Sequence, residues 1–230
     1  MSRPALGARP AAILFDLDGT LIDSAPDLAG ACNDMRLERG LEPVPYVQLR
    51  AMVGSGARGM VGAGFGVAPD DAGYADLRDE FLRRYEARMT RETRIFPDVA
   101  PLLARLSEER IAWGIVTNKA TRFAAPLVAA LGLAATAGAL VCGDTTAHSK
   151  PHPAPLLEAA RRLCLVPADC VYVGDDRRDV DAGRAAGMRT VVVAWGYLGT
   201  DASPAAWAAD AIIERPDDLL ALWSPPVAGL

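Results

Sequence analysis

Two carboxylates stand two residues apart where a short apolar run ends: Phe15-Asp16-Leu17-Asp18-Gly19-Thr20-Leu21 follows directly on Ala11 to Phe15. In extended backbone, residues two apart point to one face, so Asp16 and Asp18 project together while Leu17 turns inward. Neighbouring acids at a strand end repel one another unless a cation or a shared proton relieves them. The pair therefore serves chemistry better than it serves folding. A carboxylate can attack phosphorus and form an aspartyl-phosphate. A second carboxyl beside it can protonate the leaving alcohol and then activate water.

Other groups suited to the same chemistry follow apolar runs further along. Trp113-Gly114-Ile115-Val116 leads into Thr117-Asn118-Lys119, and Val171-Tyr172-Val173-Gly174 leads into Asp175-Asp176, with Asp179 one turn on. Between them Ser149-Lys150-Pro151 places a lysine in a proline-stiffened loop. A hydroxyl and an amide can hold phosphoryl oxygens, and a lysine can neutralise the charge on the transferring group. Mg²⁺ prefers oxygen ligands and takes one or two carboxylates with substrate phosphate and water.

The elements that must position these groups are legible in outline. Beyond residue 95, apolar and often β-branched runs (Ala112 to Thr117, Ala139 to Cys142, Cys170 to Val173, Thr190 to Ala194, Ala211 to Ile213) alternate with helical patterns. Two of those helices, ending near Leu131 and Ala186, are followed by Gly132 and Gly187, the usual C-terminal signal. Such alternation predicts an α/β fold: a three-layer, doubly wound parallel sheet of Rossmann-like type, with ligands at the carboxyl ends of its strands. Residues 24 to 95 break the alternation. Ser24-Ala25-Pro26-Asp27 reads as a helix start capped by Ser24, and Tyr74, Leu77, Phe81 and Tyr85 mark a long amphipathic helix. No strand is expected there. The domains are then a catalytic core, residues 1–23 and 96–230, and an inserted helical cap, residues 24–95.

Composition narrows the partners. The chain has 230 residues, 51% of them hydrophobic, and a net charge of -5 with the signs scattered, which argues against nucleic acid. No apolar stretch approaches the roughly 20 residues needed to span a bilayer. The run after Arg9 is short and meets Asp16 at once, which is no secretory signal, so a cytoplasmic protein is expected. Cys32, Cys142, Cys164 and Cys170 lack C-x-x-C spacing and read as reduced thiols. No pattern encodes an oligomeric state, so a monomer or homodimer is expected. Trp207 and Trp223 read as exposed, and Ser224 to Leu230 as a loose tail.

Asp16-Leu17-Asp18-Gly19-Thr20, Thr117-Asn118, Lys150 and Gly174-Asp175-x-x-x-Asp179 together resemble the four motifs of the haloacid dehalogenase superfamily, over nearly the whole chain. Within it the sequence is similar to the phosphoglycolate phosphatases and the related N-acetylmuramate 6-phosphate phosphatases, through Ser55-Gly56-Ala57-Arg58, Thr117-Asn118-Lys119 and Ser149-Lys150-Pro151. The resemblance implies a Mg²⁺-dependent phosphatase of a small metabolite, with 2-phosphoglycolate the expected substrate. It makes Asp16 the nucleophile and a metal ligand, and Asp18 the acid/base, ligating through its carbonyl. Thr117, Asn118 and Lys150 would hold the phosphoryl group, Asp175 would complete the metal site, and Asp179 would support it from behind. A phosphomutase keeps the same residues. A phosphoacceptor signalling domain would carry its aspartate on a middle strand and no cap, and a non-catalytic phosphate binder would show a gap in the set.

Three further signals read as ordinary structure. Gly54-Ser55-Gly56-Ala57-Arg58-Gly59 fits a dinucleotide pattern, but its surroundings read as helical rather than strand-then-helix. His148 and His152 read as polar loop residues. Lys119 and Arg122 divide evenly between substrate contact and surface charge.

Overall fold

The computed structural model describes residues 6–199 and 203–223. The chain runs β1 (Ala12–Phe15), β2 (Ile22–Asp23), α1 (Ala25–Glu38), α2 (Tyr46–Met52), α3 (Gly56–Phe65) and α4 (Tyr74–Arg88). It continues through β3 (Arg94–Ile95), α5 (Val99–Glu108), β4 (Ala112–Val116), α6 (Thr121–Ala130), β5 (Ala139–Val141) and α7 (Ala154–Arg162). It closes with β6 (Cys170–Gly174), α8 (Arg177–Ala185), β7 (Arg189–Val193) and β8 (Ala211–Ile213).

Six strands form one parallel sheet in the order β5-β4-β1-β6-β7-β8. Continuous apolar runs suit strands covered on both faces, and all four residues of β1 are buried. The strand order reverses at β1, which lies between β4 and β6. Phe15 pairs with Ile115 on one side and Val173 on the other. That register brings Asp16, Thr117 and Asp175 to one edge, the switch point at which parallel sheets bind ligands.

On one face of the sheet, Ile13, Phe15, Ile115, Val171 and Val173 belong to a core that runs unbroken into α1 to α4 through Leu28, Met35, Met60 and Phe81. On the other, Leu14, Val116 and Tyr172 pack with Leu156 and Ala159 of α7.

Residues 24–95 are mostly helical, but one short ribbon was not anticipated. β3 pairs antiparallel with β2, Ile22 opposite Ile95 and Asp23 opposite Arg94. A two-residue strand is too short for periodicity to reveal. Ser24 also departs from expectation. Its hydroxyl makes no cap on α1 and donates instead to Asp18. The amide of Ala25 at the start of α1 is met from outside, by the hydroxyl of Tyr197. Asp27, the acid of that helix start, turns inward from the first turn of α1. It is fully buried and accepts from the amides of Glu92 and Thr93 and from the Thr93 hydroxyl. Trp207 and Trp223 are buried rather than exposed, Trp207 packing with Val180 and Val192. The four cysteines are free thiols. Ser224 to Leu230 lie outside the described residues. Among the described residues no helix is long and apolar enough to cross a membrane.

Candidate active site

The site begins with the turn after β1. Gly19 takes a positive φ of 84°, and a Cβ there would lie 2.2 Å from Asp175 Oδ2, so only glycine lets the chain leave the strand this close to β6. Asp16 accordingly faces the ends of β4 and β6. Its carboxylate, with those of Asp175 and Asp179, offers oxygens that all lie within 4.8 Å of one another.

Lys150 lies against this cluster, nearly fully buried. Its Nζ is 2.9 Å from Asp16 Oδ1 and 2.7 Å from Asp179 Oδ1, and it donates to the hydroxyl of Tyr172 at 2.7 Å. Burial opposes the lysine charge, but Asp16 and Asp179 outweigh it and hold the pKa above the ordinary lysine range. Asn118 holds the lysine in place. Its carboxamide donates to the Lys150 carbonyl and accepts from the Lys150 amide, both at 2.9 Å. The side chain expected to grip phosphate is therefore committed to Lys150, although Asn118 still lines the cavity. Thr117 is buried beside it, its hydroxyl oxygen accepting from the Lys119 amide.

Three carboxylates against one ammonium leave two negative charges uncompensated. Desolvation raises the Asp16 pKa to about 6, Lys150 opposing and Asp179 and Asp18 adding to it. Burial and the neighbouring Asp16 and Asp179 likewise push Asp175 well above the carboxylate range. Asp175 is held rigidly, accepting from Thr20 Oγ1 at 2.8 Å and from the Tyr197 amide at 2.6 Å. Among the described residues, Asp16 Oδ1 is buried without a hydrogen bond of good geometry. Three carboxylates whose oxygens come this close, offset by a single ammonium, suit a small divalent cation that prefers oxygen ligands. Asp179 also accepts from the Asp176 amide while Asp176 caps α8, so Asp179 serves the helix start and Lys150 at once.

Asp18 has different surroundings. Oδ1 accepts from Ser24 Oγ at 2.5 Å and from Lys119 Nζ at 2.9 Å, with Oδ2 3.2 Å from the same ammonium. Lys119 thus belongs to the site, whereas Arg122 pairs with exposed Glu86 outside it. Sequence carried little signal for this, because the partners are 101 residues apart.

A cavity of about 430 Å³ opens above these groups. Asp16, Asp18, Thr117, Asn118 and Asp175 line its floor, and Leu28, Phe81, Tyr85 and Phe123 its apolar wall. The turn Gly54 to Ala57 closes one side, with Gly56 at a positive φ; it joins two helices, which is the wrong setting for a dinucleotide loop. Arg58 is exposed and not among the lining residues. His148 and His152 are exposed loop residues with ring centres 4.4 Å apart.

A family model described as haloacid dehalogenase-like hydrolase matches residues 13–193. The chain belongs to the haloacid dehalogenase-like hydrolases. Among its relatives, an N-acetylmuramic acid 6-phosphate phosphatase of Pseudomonas putida KT2440 is 43% identical over 90% of this chain and 93% of its own length. A phosphoglycolate phosphatase of Xanthomonas campestris pv. campestris is 45% identical over 94% and 96%. The crystal structure of a predicted phosphoglycolate phosphatase from Haemophilus somnus 129PT superposes with a TM-score of 0.81 at 26% identity, covering 92% of this chain and 97% of that one. These haloacid dehalogenase-like relatives agree with the resemblance read from the four motifs.

Proposed function

We propose that this chain is a Mg²⁺-dependent phosphomonoesterase that releases phosphate from a small metabolite through an aspartyl-phosphate on Asp16. The observation that carries this reading is the contrast between the two β1 acids. Asp16 lies in the acidic cluster with Asp175 and Asp179, its carboxylate met by the Lys150 ammonium, whereas Asp18 is held by Ser24 and Lys119. Two carboxylates with different surroundings suit two roles.

Asp16 attacks phosphorus while Lys150, Thr117 and the main chain at Asn118 hold the transferring oxygens. Asp18 delivers a proton to the leaving alcohol and then takes one from the water that attacks the intermediate. Mg²⁺, held by Asp16, Asp175 and the Asp18 carbonyl with Asp179 behind them, would screen the repulsion between nucleophile and phosphate dianion. Residues 24–95 act as a cap over the core formed by 1–23 and 96–230, with the β2–β3 ribbon as the joint; such lids exclude bulk water during turnover. The reading includes a cytoplasmic enzyme that works as a monomer or homodimer.

Two substrates follow from the relatives, 2-phosphoglycolate and N-acetylmuramate 6-phosphate, and each carries a carboxylate beyond the ester. The first remains the primary reading. The cavity favours the second, since about 430 Å³ is more than a two-carbon acid fills and falls in the range of pockets for larger ligands. Phosphate release with Mg²⁺ compares them. A kcat/KM ratio above about a hundred, roughly 2.7 kcal/mol of discrimination, assigns the substrate. Release from neither contradicts the reading.

A further inference from the structure

Two residues of the cavity do more than the phosphoryl chemistry requires. Among the described residues, Lys119 and Arg178 are the cations that line it. Arg178 is held by Asp176, its Nε and Nη2 on the two carboxylate oxygens and Nη2 also on the Gly54 carbonyl. Lys119 spends two contacts on Asp18, and an ammonium has three N–H groups. The charge sits 4.7 Å from the centre of the Tyr85 ring.

Tyr85 supplies the second, independent observation. It comes from α4, lines the cavity and is only 2% exposed. Among the described residues its hydroxyl has no hydrogen-bond partner of acceptable geometry. Its ring lies 6.4 Å from that of Phe81 and 5.6 Å from that of Phe123, which fixes its direction. Burial pushes its pKa up to about 12 against the opposition of Lys119, so it stays protonated. A buried hydroxyl without a partner is costly and uncommon in a folded protein. Here it stands beside the Lys119 ammonium, next to the acid that protonates the leaving oxygen.

We infer that Lys119 and Tyr85 together receive a carboxylate carried by the leaving alcohol of the substrate. Lys119 provides the charge and one donor, and Tyr85 provides the second donor. The receptor takes one residue from the loop after β4 and one from α4, so it is complete only when the two are together. This rests on the phosphatase reading above and selects, within it, phosphate esters of hydroxy acids.

Matched substrates test it. 2-Phosphoglycolate is compared with ethyl phosphate, and N-acetylmuramate 6-phosphate with N-acetylglucosamine 6-phosphate; the members of each pair differ by the carboxylate-bearing group. The wild type is expected to prefer the carboxylate member of at least one pair by tenfold or more in kcat/KM. Lys119→Met should cut that preference at least tenfold and Tyr85→Phe at least threefold. The second change removes one oxygen and keeps the ring that packs on Phe81 and Phe123, so it keeps the fold. Equal losses on both members of the preferred pair, or no preference in the wild type, overturn the inference while leaving the phosphatase standing. Release from none of the four compounds overturns the phosphatase reading and the inference with it.

Discussion

The main-chain N–H of Tyr197 donates to Asp175 Oδ2 at 2.6 Å, and the hydroxyl of the same tyrosine donates to Asp23 Oδ1 at 2.7 Å. That hydroxyl also accepts from the amides of Ser24 and Ala25. One loop residue after β7 thus ties the acidic cluster to the joint from which α1 departs. Arg50 of α2 stacks on its ring at 4.8 Å. Tyr197→Phe keeps the ring, takes the partner from the Ser24 amide, and leaves the Ala25 amide and Asp23 Oδ1 only their 3.3 Å bond to each other. It should lower stability by about 2–3 kcal/mol in denaturant unfolding; a loss below about 0.5 kcal/mol would show that water replaces the hydroxyl.

Gly196 makes the other half of this contact. A Cβ there would lie 2.2 Å from Asp175 Cβ, so Gly196→Ala must displace the carboxylate or the loop. Mg²⁺ affinity by calorimetry should fall about tenfold or more, as expected when groups that orient a ligand are disturbed. Unchanged affinity would remove Asp175 from the metal site.

The pH dependence of Mg²⁺ binding follows from Asp16. Its pKa in the folded protein is raised to about 6, so protons compete for it below that value. Affinity should be at least about tenfold weaker at pH 5 than at pH 7, with proton release on binding. For the metal-free protein the sign is opposite: burying the ionised form destabilises, so this group's contribution to stability falls as pH rises from about 4 to about 6. Affinity flat between pH 5 and 7 would contradict the assignment of Asp16 as a ligand.

Asp27 is predicted to be structural. It is fully buried, accepts three hydrogen bonds from Glu92 and Thr93, and lies 3.5 Å from Arg88 Nε. Asp27→Ala should cost about 3–5 kcal/mol by leaving those donors and part of a guanidinium unpaired. Thermal unfolding checks this, and a change within 1 °C would contradict it.

Asn118→Ala should reduce kcat by about ten- to a hundredfold while the fold survives, because Lys150 loses the two bonds that fix its backbone. If Asn118 gripped substrate alone, KM would rise and kcat would hold.

What the sequence could and could not reveal follows from the range of each interaction. The parallel strands and the positions of Asp16, Thr117 and Asp175 were readable, because continuous apolar runs and the residues after them are local signals. Gly132 and Gly187, both at φ 74°, end helices where their identity says they should. The β2–β3 ribbon was too short to show a period. Ser24 carried a cap signature yet serves Asp18, since a tertiary partner outcompeted the local one. Lys119 and Tyr197 reach acids 101 and 174 residues away, and no spacing rule connects such positions.

The most direct test of the account is phosphate release from 2-phosphoglycolate and N-acetylmuramate 6-phosphate by the wild type and by Asp16→Asn, with Mg²⁺ and with chelator. The account predicts Mg²⁺-dependent release from at least one ester by the wild type and a loss of at least a thousandfold in the variant, whose amide cannot act as the nucleophile. Substantial Mg²⁺-dependent turnover by Asp16→Asn would contradict it.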